Sequence, residues 1–274
     1  MTRICAALAL VLLIGACTDL SAVRDFARSS SAVSTNDPVI ASWPTSYDAA
    51  RRLAAVPGMP RDLGPALNAA AEGAKKDVPL ALQAAKALGL YFDVLIKLAD
   101  DKLPDVSSQA ATINADVAKL APGNATAMNA TAGLLDVVGV ALDAWRKIAI
   151  RDLVIHSNAD IQEITRFLAT TSLEVQKADK FAKGVTDQYW ETEGARSHDA
   201  GVRGLVLKQE RIDDADYDTR IAQATAGAAA FTKIGADHAV LAKNADRLSA
   251  AEVQDTLSND LPTLLNALKV FGLK

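Results

Sequence analysis

Along most of this chain, apolar or small residues recur at alternating spacings of three and four, which places them on one face of an α-helix. Ala84, Leu88, Tyr91, Leu95 and Leu98 form one such seam, and Val106, Ala110, Ile113, Val117 and Leu120 form the next. Leu135, Val138, Leu142, Trp145 and Ala149 follow. The longest runs from Ile161 through Ile164, Leu168, Thr171, Val175, Ala178, Ala182 and Val185 to Tyr189, close to an uninterrupted heptad stripe. Phe231, Ile234, His238, Leu241, Ala245 and Leu248 make another, and Val253, Leu257, Leu261, Leu264, Leu268 and Phe271 close the chain.

No segment alternates β-branched residues as a strand does, so no significant sheet is expected. Helix-breaking signals stand at Pro104, at Pro122-Gly123, at Ser157-Asn158 and across Gly194 to Gly204. A helix from about Ala159 to Glu193 would be ~50 Å long at 1.5 Å per residue. The expected fold is all-α: an elongated antiparallel multi-helix bundle with coiled-coil-like seams.

The N-terminal segments depart from this pattern. Residues 1–16 carry one positive charge at Arg3, an apolar run from Ile4 to Ile14, and the small residues Gly15 and Ala16, as a secretory signal peptide does. The run is shorter than the ~20 residues that span a bilayer. Residues 17–61, with Ser29-Ser30-Ser31, Asn36-Asp37-Pro38, Pro44, Pro57-Gly58 and Pro60, read as a tether with short helical pieces at Leu20 to Phe26 and Tyr47 to Ala55. Residues 62–274 would form the bundle.

Ile14, Gly15, Ala16 and Cys17 resemble the lipobox of bacterial lipoproteins. The resemblance implies cleavage before Cys17, a covalent lipid on its sulfur and attachment to a membrane. The other cysteine, Cys5, lies in the segment that would be removed, so the mature body would hold no disulfide and would rely on packing. Thr18 stands where aspartate usually signals inner-membrane retention in such lipoproteins, which favours the outer membrane with the body facing the periplasm. A Gram-positive cell surface is the alternative address. In general appearance the body resembles uncharacterised helical-bundle lipoproteins of proteobacteria, a likeness that implies no mechanism.

Charge narrows the partners. The formal net charge is −4, and loss of Arg3 makes the mature chain one unit more acidic. Nonspecific phosphate binding needs dense Lys and Arg, whereas Arg51-Arg52, Lys75-Lys76 and Arg146-Lys147 are small groups, so no nucleic acid is expected as a partner. Half the residues are apolar but only 5% are aromatic. That balance suits alanine-rich helices packed closely along their lengths.

Candidate chemistry is sparse. Asp214, Asp216 and Asp218, next to Asp213, match the first ligand positions of a calcium loop, but Thr219 and Thr225 stand where that loop needs glycine and glutamate. An acidic helix start is the simpler reading. His156 and Asp160, four residues apart, are weak metal candidates, while His238 lies in an apolar seam and is expected to be a core histidine with a hydrogen-bond partner. No glutamate has a histidine three residues on, as di-iron bundles require, and no HExxH, GxSxG, phosphate-binding or GxGxxG motif occurs. No enzyme and no cofactor beyond the lipid are therefore expected.

The most apolar stretch of the mature body, Ala127 to Ile150, would suit a membrane-inserting hairpin, but Asp136 and Asp143 would be costly in a bilayer. A packed central helix is preferred. The connection Gly194 to Gly204, with Arg196, His198, Asp199 and Arg203, is the best candidate for a partner-binding turn. The expected function is a noncatalytic, membrane-anchored scaffold or protein-binding module of unknown partner. A membrane-active protein and a metal-binding protein or enzyme are the alternatives.

Overall fold

The computed structural model describes residues 20–56, 59–100, 107–120, 124–141 and 146–273. Cys17, Pro104, Val106, Pro122, Gly123, Leu142, Asp143 and Trp145 lie outside the described residues. The chain is an all-α bundle, and the described residues contain no strand. Its helices are α1 (Ser21–Asn36), α2 (Pro38–Ser42), α3 (Asp48–Ala54), α4 (Leu63–Ala99), α5 (Ser107–Val117), α6 (Ala125–Ala141), α7 (Arg146–Arg196), α8 (Ala200–Lys243) and α9 (Ala251–Val270). Short 3-10 turns occupy Trp43–Tyr47 and Ala245–Arg247.

The seams are the contact surfaces. Ile161, Ile164, Leu168 and Val175 of α7 are fully buried, as are Phe231, Ile234 and Leu241 of α8, and these two helices pack along each other as an antiparallel pair. Helix α7 alone, at 51 residues, is about 75 Å long. Helix α4 is the one helix among the described residues long and apolar enough to cross a membrane, yet 67% of its most apolar window is buried by its neighbours. It is the core helix, flanked by α1, α6 and α7. Of the apolar stretch Ala127 to Ile150 assigned to a packed central helix, residues 127–141 belong to α6, whose Leu134, Leu135 and Val138 are buried, residues 142–145 lie outside the described residues, and residues 146–150 open α7.

Two boundaries differ from the sequence pattern. Helix α7 runs unbroken through Ser157 and Asn158. Such side chains break helices when they compete for nearby backbone groups; here Asn158 is bonded instead to His238 on the neighbouring helix, and Ser157 lies beside the same ring. The second correction concerns the expected tether, because Ser21 to Ala54 is helical and packed into the body. Val23, Phe26, Val33 and Ile40 are at most 1% exposed, and Phe26 meets Phe92 of α4 edge to face at 5.5 Å.

The serines that suggested a linker serve close helix packing. Ser31 donates to Asp93 of α4 at 2.7 Å, and Ser34 donates to the carbonyl of Ser30 at 2.8 Å. The two helices approach so closely at Gly89 that a Cβ there would lie 2.6 Å from Thr35 Cγ2. A side chain at that crossing would have to push the Thr35 methyl aside.

Candidate functional site

Helix α8 begins at Ala200, so Asp213, Asp214, Asp216 and Asp218 sit more than three turns inside it rather than at its start. Side chains two residues apart on a helix diverge by about 200°, which prevents Asp214, Asp216 and Asp218 from converging on one ion. Asp214 and Asp218 instead pair with Lys183 of α7, at 3.5 and 2.8 Å. Asp213 accepts from the Trp190 indole and from Gln209, both at 2.8 Å. Asp187 of α7 faces Asp214, and partial burial together with the hydrogen bond between the two carboxyls lifts Asp187 to about 6.

The other metal pair also separates into two structural roles. His156 is exposed, and its Nδ1 bonds the Asp152 carbonyl one turn back at 2.7 Å. Asp160 packs against Gly133 of α6, where a Cβ would lie 2.7 Å from its Oδ2. Burial raises the Asp160 carboxyl, with Asp136 adding to the effect. No three His, Cys, Asp or Glu side chains form a metal-binding group among the described residues.

His238 is the centre of the most elaborate polar cluster. It is fully buried, with Nδ1 3.1 Å from Asn158 Oδ1 and Nε2 2.6 Å from the Tyr91 hydroxyl. An amide oxygen only accepts, so the proton sits on Nδ1 and Nε2 accepts from Tyr91. Burial pushes His238 down to about 3 and raises the Tyr91 hydroxyl, keeping both neutral. Ser157 Oγ lies 3.4 Å from Nε2, so serine, histidine and asparagine follow the order of a nucleophile, base and orienting group. Ser157, His238 and Tyr91 have no exposed surface, and Tyr91 already occupies the ring nitrogen that a base would use. The cluster therefore ties α4, α7 and α8 together. Tyr91→Phe is expected to cost about 1–3 kcal/mol by removing the short Tyr91 donor and leaving buried Nε2 only the longer contact with Ser157; urea unfolding of the variant measures it.

The connection between α7 and α8 is shorter than the glycines suggest: only Ser197, His198 and Asp199 lie between the helices. Gly194 falls inside α7, and Gly201 and Gly204 fall inside α8. Asp199 caps α8, accepting from the amides of Gly201 and Val202 at 2.7 and 3.0 Å. Arg203 donates to the Ser197 carbonyl at 3.3 Å, and Arg196 pairs with Glu193 at 2.9 Å. His198 is exposed at the tip. Asp199 and Arg203 thus build the turn, which gives them a structural duty beside any recognition.

The more distinctive surface flanks that turn. From Asp187 to Asp216 no residue is buried, so this part of the α7–α8 hairpin is a two-helix arm without a core of its own. The nearest buried cluster joins Tyr47, Leu67, Ala178, Val185 and Tyr217 below it. Val202, Leu205, Leu207 and Ile212 are 48, 69, 53 and 47% exposed, four of the nine large apolar side chains exposed among the described residues. Exposed apolar groups gathered in this way mark interaction sites more often than scattered ones do. These residues escape the seam pattern because they do not recur at spacings of three and four, and Leu205 and Leu207, two apart, point to different sides of α8. The signal was their presence in a stretch otherwise rich in charge. Compared with known proteins, the chain matches no family model, no curated protein and no solved structure.

Proposed function

We propose that this protein is a lipid-anchored, noncatalytic scaffold of the bacterial cell envelope that presents the α7–α8 arm to a protein partner. The exposed large apolar side chains of the arm, Val202, Leu205, Leu207 and Ile212, carry the reading. The anchor rests on the lipobox resemblance at Cys17 and the residues that follow it. Only Thr18, Asp19 and Leu20 separate Cys17 from α1, so a lipid there would seat the bundle almost directly on the membrane.

The start of α1 lies at the end of the bundle opposite the arm. The Ala22 amide donates to Gln254 at 3.0 Å, Arg24 pairs with Asp100 at 3.2 Å, and Arg151 near the start of α7 pairs with Asp246. The length of α7 then holds the arm tip roughly 75 Å from that end. A rigid bundle between anchor and arm would fix this reach, which a flexible tether would not.

A photo-crosslinking residue at Leu205 or Leu207 in intact cells tests the docking reading. Reproducible adducts there, with none from a crosslinker at Thr112 on the bundle flank, are expected. Equal or absent capture at the two places would remove the arm from the proposal. Replacement of Cys17 by serine is expected to release the protein from the membrane fraction, and retention of the variant would refute the anchor separately.

A further inference from the structure

We infer that α9 is a proton-held latch over the groove between α1 and α8: a proton shared by Asp237 and Asp260 keeps the helix docked, and loss of that proton loosens it. Helix α9 lies at the edge of the bundle, where its close packing is with α8 and α1. Val253, Leu257, Leu264 and Ala267 are its buried side chains, each at most 2% exposed, and they fill that groove. A helix held by two neighbours can detach while the rest of the bundle stays folded, which is how local openings arise.

Beneath α9 lies an ionic cluster with more negative than positive charge. Asp237 of α8 is 1% exposed, and its Oδ2 has no hydrogen-bond partner. Lys233, one turn earlier, approaches Asp237 to 3.2 Å and also pairs with Asp260 of α9. Lys233 and Asp260 are the charged groups that face Asp237, with none from α1 or α7 among the described residues. One ammonium cannot neutralise two carboxylates, and a buried charge left in excess is costly. A proton on Asp237 removes the excess and lets its hydroxyl donate to the Asp260 carboxylate, a hydrogen bond across the contact between α8 and α9. Without that proton two carboxylates confront each other there. Separation of the helices admits water and relieves both.

A second carboxyl stands at the far end of α9. A Cβ on Gly227 of α8 would lie 3.1 Å from Asp37 Oδ2, 3.4 Å from Ser172 Oγ and 3.6 Å from Phe271 Cζ, so this carboxyl and the ring just after α9 meet at one point. Asp37 Oδ1 accepts from the Val39 amide at 2.8 Å, whereas Oδ2 has no partner. No charged side chain among the described residues offsets its burial. Ionisation of Asp37 therefore favours release of the last turn in the same direction as ionisation of Asp237. The four buried apolar side chains still favour docking, so the protons set how often α9 opens.

Hydrogen exchange of the protein at pH 5 and pH 8, with each amide rate divided by its intrinsic rate at that pH, tests the latch. A carboxyl that titrates at about 7 when α9 is docked and at 3.8 when it is released makes opening roughly ninetyfold more frequent at pH 8 than at pH 5. The amides of α9 are expected to be less protected than those of α4 at both pH values, and to lose about that factor between them. In Asp237→Asn, which has no proton to release, the loss should shrink to about tenfold or less, the share left to Asp37. Circular dichroism checks that the variant is folded. If it is not, Asp260→Asn, which removes the opposing charge, should cut the wild-type loss roughly threefold. Protection of α9 equal to that of α4, or a pH dependence that survives Asp237→Asn unchanged, overturns the inference. So does a pH effect of Asp237 on urea unfolding while α9 and α4 exchange together, because α9 then leaves only with the whole fold.

Discussion

Truncation of Phe26 to alanine is expected to lower stability by about 3–5 kcal/mol, the range for removing a buried aromatic side chain. Phe26 is 1% exposed and meets the Phe92 ring at 5.5 Å, in a core that also holds Val23, Leu88, Tyr91 and Leu95. Urea denaturation of Phe26→Ala beside Arg28→Ala, an exposed change on the same helix with an expected effect within about 0.5 kcal/mol, isolates the burial term. Equal, small losses for both would return residues 17–61 to the role of a tether. Deletion of residues 20–54 goes further. It uncovers Leu88, Tyr91 and Phe92 on α4 and removes Tyr47 and Ala50 from the cluster beneath the arm, so loss of a cooperative unfolding transition is the expected result.

The contrast between this segment and the rest explains what was legible in the sequence. Helix existence was read correctly wherever bulky apolar residues marked the buried face, as in Ile161 to Tyr189 or Val253 to Phe271, because the period of burial is then visible. In α1 the buried face is carried partly by Ser30, Ser31 and Ser34, whose small size permits close approach to α4 but which count as polar in any pattern. Local composition announced a linker, and tertiary contact decided otherwise. The same override operates at Ser157 and Asn158, where a histidine 80 residues away accepts the role that the backbone would otherwise play.

The candidate site was legible in position but not in extent. The turn containing His198 and Asp199 was located by its glycines, yet Asp199 is a helix cap and the glycines belong to the helices. The exposed apolar residues beside it do not fall at seam spacing, so the three-and-four pattern that reveals core faces leaves them out. The aspartates were expected at a helix start, and the beginning of α8 at Ala200 places them well inside the helix. Their spacing imitates a calcium loop in one dimension, while a continuous helix distributes them between Lys183, Trp190 and solvent.

Asp237 supplies the sharpest prediction about conditions. Its side chain is 1% exposed on α8, its Oδ2 has no hydrogen-bond partner, and it sits 3.2 Å from Lys233, which also pairs with Asp260 of α9. Burial pushes its carboxyl up to about 7 against the pull of Lys233, and hydrogen bonding with Asp260 adds to the rise. A carboxyl raised from 3.8 contributes stability that is complete below about pH 4 and is lost as pH climbs through 7, because the folded state then holds a proton that the unfolded chain has released. Asp37 and Asp187, each near 6, act in the same direction. His238, held neutral down to about 3, acts in the opposite one, with its contribution complete above 6.5 and lost as pH falls through 3. Three carboxyls outweigh one imidazole between pH 5 and 7, so the stability of the wild type should fall across that window. Asp237→Asn keeps the shape of the protonated side chain and removes the charge. It should match the wild type near pH 4.5 and exceed it at pH 8 by roughly 2–4 kcal/mol, the free energy of a shift of this size. Urea unfolding at the two pH values reads the difference directly. A gap between variant and wild type that does not change with pH would show that Asp237 is ionised in the folded bundle, with Lys233 sufficient to hold its charge.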